Sequence, residues 1–147
     1  MSVESATKPS EFNTSLPGDS DARSEGPSHI RMLKTVAQAT DRARINSKSA
    51  AYTFVAGDAN EWFYHPASDA NARTWTIPAN ASVAYTTGTT LSFVNLSANS
   101  ITIAITSDTM RLVGAGTTGS RTLAQYGCAT AVKIDTTLWI ITGTNLT

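Results

Sequence analysis

The feature that most constrains this chain is a long stretch without charge. From Thr74 to Ser107 there is no Asp, Glu, Lys, Arg or His. Thr, Ser, Ala, Val and Ile fill much of it. β-Branched residues suit pleated, half-buried strands. A Thr-rich stretch of this length is unusual for a lone soluble domain, and few charges suit burial between identical chains, because interface cores are depleted in charge. The charges lie elsewhere. Residues 1–48 hold more than half of them, among them Arg23, Glu25, Arg31, Lys34, Arg42, Arg44 and Lys48.

Beyond residue 48 the hydrophobic period is two. Tyr52 and Phe54 alternate with Ala51, Thr53 and Val55, and Gly57-Asp58 marks a turn. Trp75 and Ile77 alternate with Thr74 and Thr76 until Pro78 stops the run. Val83 and Tyr85 lead to a turn at Thr87-Gly88, and Leu91, Phe93 and Val94 make the next strand. Ile101, Ile103 and Ile105 alternate cleanly, and Leu112-Val113 precedes a Gly-rich tip at 114–119. In residues 128–134, Ala129, Ala131 and Lys133 fall on one side, with Cys128, Thr130, Val132 and Ile134 on the other. A turn at 135–137 leads to a last strand, Leu138–Thr142. Short strands with turn residues between them predict a β-sandwich or barrel-like domain over residues 49–147. There is no exact repeat, although Trp-Thr-Ile at 75–77 and Trp-Ile-Ile at 139–141 share a pattern.

The first part of the chain reads differently. Residues 1–23 contain Pro9, Pro17, Gly18 and many serines, with no periodic apolar face. Alone, such a segment is disordered, but Val3, Phe12 and Leu16 suit an extended arm laid along a partner. Residues 24–40 predict a helix. Ser24 or Ser28 would cap it, Glu25 would favour its positive end, and Pro27 is tolerated in a first turn. Ile30, Leu33 and Ala37 recur at helical spacing. Residues 41–50 read as a polar, basic linker. Residues 1–48 thus read as an extended arm and helix ahead of the β domain.

Several classes of function are disfavoured. The chain of 147 residues carries 11 basic and 11 acidic side chains, so no basic excess points to nucleic acid or an anionic membrane. Its longest apolar runs, such as Leu138–Ile141, are too short to cross a bilayer. The polar, acidic N-terminus is not that of a secretory signal. The single Cys128 can form no internal disulfide, which fits folding in a reducing cytoplasm.

Catalytic chemistry finds little support. Gly114-Ala115-Gly116-Thr117-Thr118-Gly119 matches a dinucleotide-binding pattern in letters, but residues 120–127 are too short for the helix that must follow. We read a β-connection there. His65 has Asp58, Glu61 and Asp69 nearby in sequence, and loop polarity is the simpler reading than a metal or acid–base site. No paired-acid pattern suggests glycoside cleavage. Neither metal nor cofactor is expected, and Cys128 reads as a small buried strand residue. Trp62-Phe63-Tyr64 supports two readings: aromatics stacking on a sugar ring of a polysaccharide, or packing in the core and between sister chains. Neighbours in a strand point to opposite faces. At least one of the three must therefore leave its own core, which favours a subunit contact.

The segment Ser24-Glu25-Gly26-Pro27-Ser28-His29-Ile30-Arg31-Met32-Leu33-Lys34 resembles a motif in the N-terminal parts of phage tail-fibre and related virion proteins. Ser24, Glu25, Gly26, His29, Ile30, Arg31 and Lys34 carry the match, with Leu33 at one of its apolar positions. Pro27 and Ser28 replace an acidic pair often seen there. Trp75–Asn80, Ile101–Ile105, Gly116–Leu123 and Trp139–Gly143 look like β domains of phage structural proteins. The resemblance implies a homotrimeric, non-enzymatic virion protein on the phage tail or capsid surface. Its N-terminus would dock on a tail adaptor, nozzle or capsid protein, and its β domain would reach outward, in some cases to host-surface polysaccharide. A short tail fibre or tail-fibre adaptor is the first expectation, and a head fibre or decoration protein the alternative.

Overall fold

A computed structural model of the chain describes residues 26–40 and 43–147. These belong to two compact units, one ending at Ala43 and the other running from Arg44 to Thr147. In the first unit, helix α1 spans Gly26–Thr40. Pro27 lies in its first turn, where a missing N–H costs nothing. Val36 is buried, whereas Ile30 and Leu33 are exposed. Ser24 and Glu25, and with them the proposed Ser24 cap, lie outside the described residues.

The second unit is mainly β. Its strands are β1 (Ile45–Ser47), β2 (Tyr52–Thr53), β3 (Glu61–His65), β4 (Arg73–Ile77), β5 (Thr90–Asn95), β6 (Ile101–Ile105), β7 (Thr109–Leu112), β8 (Arg121–Asp135) and β9 (Leu138–Leu146). β1 falls inside the stretch expected to be a linker, so the β unit begins earlier than the alternation at 51–55 suggested. All nine strands join one sheet that curls into a half-barrel.

The connectivity is a winding one. β1, β3 and β5 run parallel to one another, and so do β2, β4 and β6. The chain therefore passes back and forth between two walls. Parallel neighbours need a crossover, and here each crossover contains a strand of the opposite wall. Ile45, Trp62 and Ser92 stand in register on the first wall, and Tyr52, Trp75 and Ile103 on the second. The spacing from Ile45 to Trp62 is little more than half that from Trp62 to Ser92. These unequal turns hide the structural repeat from the sequence.

β8 ties the walls together. Its start, Arg121–Leu123, pairs antiparallel with β6, and its later part, Cys128–Val132, pairs antiparallel with β5. β9 runs along the other side of β8, and β7 lies parallel beside β9. The pairing of β8 with β9 shifts register between Leu123 and Cys128. Tyr126 is left-handed there, at φ 59°, as is Asn145 opposite, at φ 53°. Such an irregularity bends a strand and increases its twist. Gly127 is required by close approach, since a Cβ would lie 2.5 Å from Leu123 Cδ1 and 2.9 Å from the Thr144 carbonyl. Gly143 is equally enclosed, because a Cβ there would sit 2.8 Å from Ala129 Cα.

The core fills the space between the walls. Phe63 and Phe93 enter from the first wall, and Trp75, Ile77, Ile101 and Ile103 from the second, all fully buried. Phe54 bridges them, with its ring 4.9 Å from that of Phe63 and 5.6 Å from that of Phe93. Met110, Trp139 and Ile141 extend the same cluster, where Tyr85 meets Trp139 edge to face at 5.7 Å. Complete burial of each large apolar side chain contributes about 1.5–3 kcal/mol.

Candidate functional site

The strand period sorts each wall into an inward and an outward set. On the first wall the outward positions of β1, β3, β5, β8 and β9 are Ile45 and Ser47, Trp62 and Tyr64, Thr90, Ser92 and Val94, Cys128, Thr130 and Val132, and Ile140, Thr142 and Thr144. None is charged. Ile45 is strongly exposed, while Trp62, Tyr64, Val94, Val132 and Ile140 are half-buried. At the rim of this face, Arg111 of β7 stands beside Ile140. Ser92 and Thr130 bond to each other at 3.1 Å and so satisfy their hydroxyls within the sheet. Cys128 lies on this outward face and is half-buried, not buried as the sequence suggested.

Of the aromatic triplet, the structure puts Phe63 in the core and Trp62 and Tyr64 on the outward face. Phe63 thus cannot contribute to any contact with a partner or receptor. In the helix, the backbone of Gly26 and His29 is placed, and Ile30, Arg31, Leu33 and Lys34 are exposed. Ser24 and Glu25 lie outside the described residues.

His65 is not loop polarity. It ends β3, is fully buried, and makes two hydrogen bonds through its ring. Nε2 meets Asp69 Oδ2 at 2.9 Å, and Nδ1 meets Asn95 Oδ1 at 3.2 Å. Arg73 Nε donates to Asp69 Oδ2 at 2.7 Å, and the Asn71 backbone N–H to Asp69 Oδ1 at 3.2 Å. Ser97 Oγ donates to the Asp69 carbonyl at 2.6 Å, and Asn95 Nδ2 to the carbonyls of Asn99 and Leu123. The Arg73 guanidinium holds the Asp69 carboxyl well below the usual carboxylate range; burial opposes this, and the bonds from His65 and Asn71 reinforce it. The network pins the turn after β3 to the turn after β5, so successive windings stay in register.

The other carboxylates near His65 in sequence serve different turns. Asp58 Oδ2 accepts from the Val55 N–H at 2.8 Å and from the Tyr52 hydroxyl at 2.9 Å. Burial, and then this bond to Asp58, push the Tyr52 hydroxyl up to about 12. Burial also raises the Tyr85 hydroxyl, which donates to the Val55 carbonyl at 2.7 Å. Glu61 Oε2 accepts from Asn46 Nδ2 at 2.8 Å, and Arg44 stands 3.5 Å from Oε1. The Glu61 contacts fasten β1 onto β3, and the Asp58 bonds tie the 3-10 turn Ala56–Asp58 back to β2. The glycine-rich tip joins β7 directly to strand β8, with no helix after it, and Arg111 bridges to Thr118 across it.

A second buried polar group was not found from the sequence. Lys133 points inward from β8 and is 1% exposed. Its Nζ donates to Asn80 Oδ1 at 2.9 Å and lies 4.0 Å from Asp108 Oδ2. The one legible signal was its register: Lys133 shares a side with Ala129 and Ala131 in an alternation whose inner side is the core.

Comparison with protein-family models, curated proteins and solved structures finds no match. Among the described residues, no helix is long and apolar enough to cross a membrane.

Proposed function

We propose that this chain is a non-enzymatic structural protein of a bacteriophage particle, a short homotrimeric tail fibre or tail-fibre adaptor. Its N-terminal segment attaches it to another virion protein, and its β unit projects outward. The observation that carries this reading is the outward face of the first wall. It is a charge-free sheet surface with Trp62 and Tyr64 at one side and Val132 and Ile140 at the other. Aromatic enrichment and charge depletion are what distinguish the centre of a protein interface, and closed symmetric assembly is the usual way that identical chains use such a face. The acids and histidine that an enzyme would need are instead bonded into turns, as His65, Asp69 and Asp58 are. The motif from Ser24 to Lys34 supports the attachment role, with Ile30, Arg31, Leu33 and Lys34 presented outward on α1.

The native mass of the full chain tests this. A trimer is expected, and a stable monomer at working concentration overturns the fibre reading. Immunogold electron microscopy of intact particles then separates the two sockets. Label on the tail supports the fibre or adaptor, and label over the head selects the head fibre or decoration protein. Deletion of residues 1–40 should abolish incorporation while leaving the β unit folded.

A further inference from the structure

We propose that Lys133 and Asn80 become joined by an intramolecular isopeptide bond, with Asp108 as the group that moves the protons. Three segments bring the reactants together: strand β8, the loop after β4, and the turn between β6 and β7. Lys133 Nζ lies at 2.9 Å from the Asn80 carboxamide oxygen. The amine is thus held against the carbonyl group that an acyl transfer attacks. Asp108 Oδ2 is 4.0 Å from the same nitrogen. Both Asp108 carboxylate oxygens also accept the Asn80 backbone N–H, at 3.2 and 3.1 Å, which fixes the electrophile. The Lys133 backbone N–H donates to the Thr89 carbonyl at 2.9 Å, which fixes the strand that carries the nucleophile. Trp139 stands over Nζ with its ring centre at 5.3 Å, and Lys133 is 1% exposed.

Those are the conditions under which an unreactive amide becomes a substrate. Holding two groups at contact distance replaces a bimolecular encounter by a unimolecular one. An ammonium buried with a single carboxylate at 4.0 Å is costly to keep out of water, and conversion to an amide removes that charge. In the reaction Lys133 passes a proton to Asp108, and its nitrogen attacks Asn80 Cγ. The new Nζ–Cγ bond forms as the Cγ–Nδ2 bond breaks. The two protons lost by Nζ pass by way of Asp108 to the departing nitrogen, which leaves as ammonium. Asp108 ends as it began, and no oxidant, reductant or cofactor enters. The alternative is a plain ion pair that ties β8 to two loops. It has the same contacts but leaves every atom in place.

Intact mass spectrometry of the full, purified chain separates them, with circular dichroism confirming that the sample is folded. The expected mass lies below that of the sequence by one ammonia, about 17 Da. A tryptic digest should contain one branched peptide that joins residues 74–111 to 122–147, because trypsin cannot cut after a modified Lys133. Lys133→Arg and Asn80→Ala should each restore the full mass. Asp108→Ala, and the shape-conserving Asp108→Asn beside it, should leave the chain unlinked. Folded wild-type chain at its full sequence mass overturns the proposal, as does a deficit that maps to any other pair of residues. A linked Asp108→Asn chain overturns the part given to Asp108. The inference does not depend on the proposed function, since neither trimerisation nor virion attachment enters it.

Discussion

The two walls of the β unit share a strand period and outward positions without charge, yet they present different surfaces. Outward on the first wall are Ile45, Trp62, Tyr64, Val94, Val132 and Ile140. Outward on the second are Thr53, Thr74, Thr76, Thr102, Ala104 and Thr122. Threonine satisfies both needs of an exposed strand, since its branched Cβ suits the pleat and its hydroxyl bonds to water. A row of threonines is therefore a finished solvent surface. An outward Trp beside an outward Tyr is not, because both rings have large apolar area that water covers poorly. Absence of charge alone does not mark an interface. The kind of uncharged residue at the outward positions does.

The largest expected effect falls where the walls meet. Phe93 belongs to the first wall but packs against Trp75 of the second and against Phe54. Phe93→Ala should cost about 3–5 kcal/mol, the range for removing a buried aromatic ring. Urea denaturation should show one cooperative loss of both walls. Loss confined to the first wall, with Trp75 fluorescence still native, would break the view that the core is shared. Next comes the outward face itself. Trp62→Glu with Tyr64→Lys should convert the proposed trimer to monomer, because well-packed interface aromatics contribute roughly 2 kcal/mol or more each. Size-exclusion chromatography with light scattering reads this directly. A trimer that survives both changes removes the first wall from the assembly.

Acid should act on the turns rather than on either face. Asp69 is more acidic folded than unfolded, chiefly because of Arg73. Its contribution is fully present above the unfolded carboxylate value, about 4. As the pH falls below that value the unfolded chain takes up the proton first, and stability declines progressively toward the lower folded pKa. Stability measured from pH 6 down to pH 2 should fall in that window, and Arg73→Ala should flatten the slope. An unchanged slope in the Arg73 variant would falsify the assignment.

The period-two alternation made the β character and most inward residues legible, but reading Cys128 as the buried side put Lys133 on the wrong face. The winding topology could not. Parallel pairing joins strands that are far apart in sequence, and the intervening segments differ too much in length to repeat. His65 was misread for a related reason. Its nearest carboxylates in sequence are Glu61 and Asp69, and only the fold shows that Asp69 bonds to the ring while Asn95, thirty residues on, holds the other nitrogen. The triplet Trp62-Phe63-Tyr64 was half legible. Alternation required that some of it leave the core, but which residue stayed depended on the register of β3 against β5.

The smallest predicted effect is also the sharpest test of the comparison. Thr74 and Thr102 stand side by side on the outward face of β4 and β6. If that face is a solvent surface, Thr74→Glu with Thr102→Lys should change stability by less than about 0.5 kcal/mol, as surface substitutions away from special features do. The new side chains would sit opposite one another, where unlike charges attract weakly. Native mass should remain that of the parent chain, in contrast to the Trp62 and Tyr64 pair. Loss of the trimer would mean that the threonine wall is the one facing a sister chain. The outward aromatics would then be free, and their stacking on a host polysaccharide would become the better reading of the first wall.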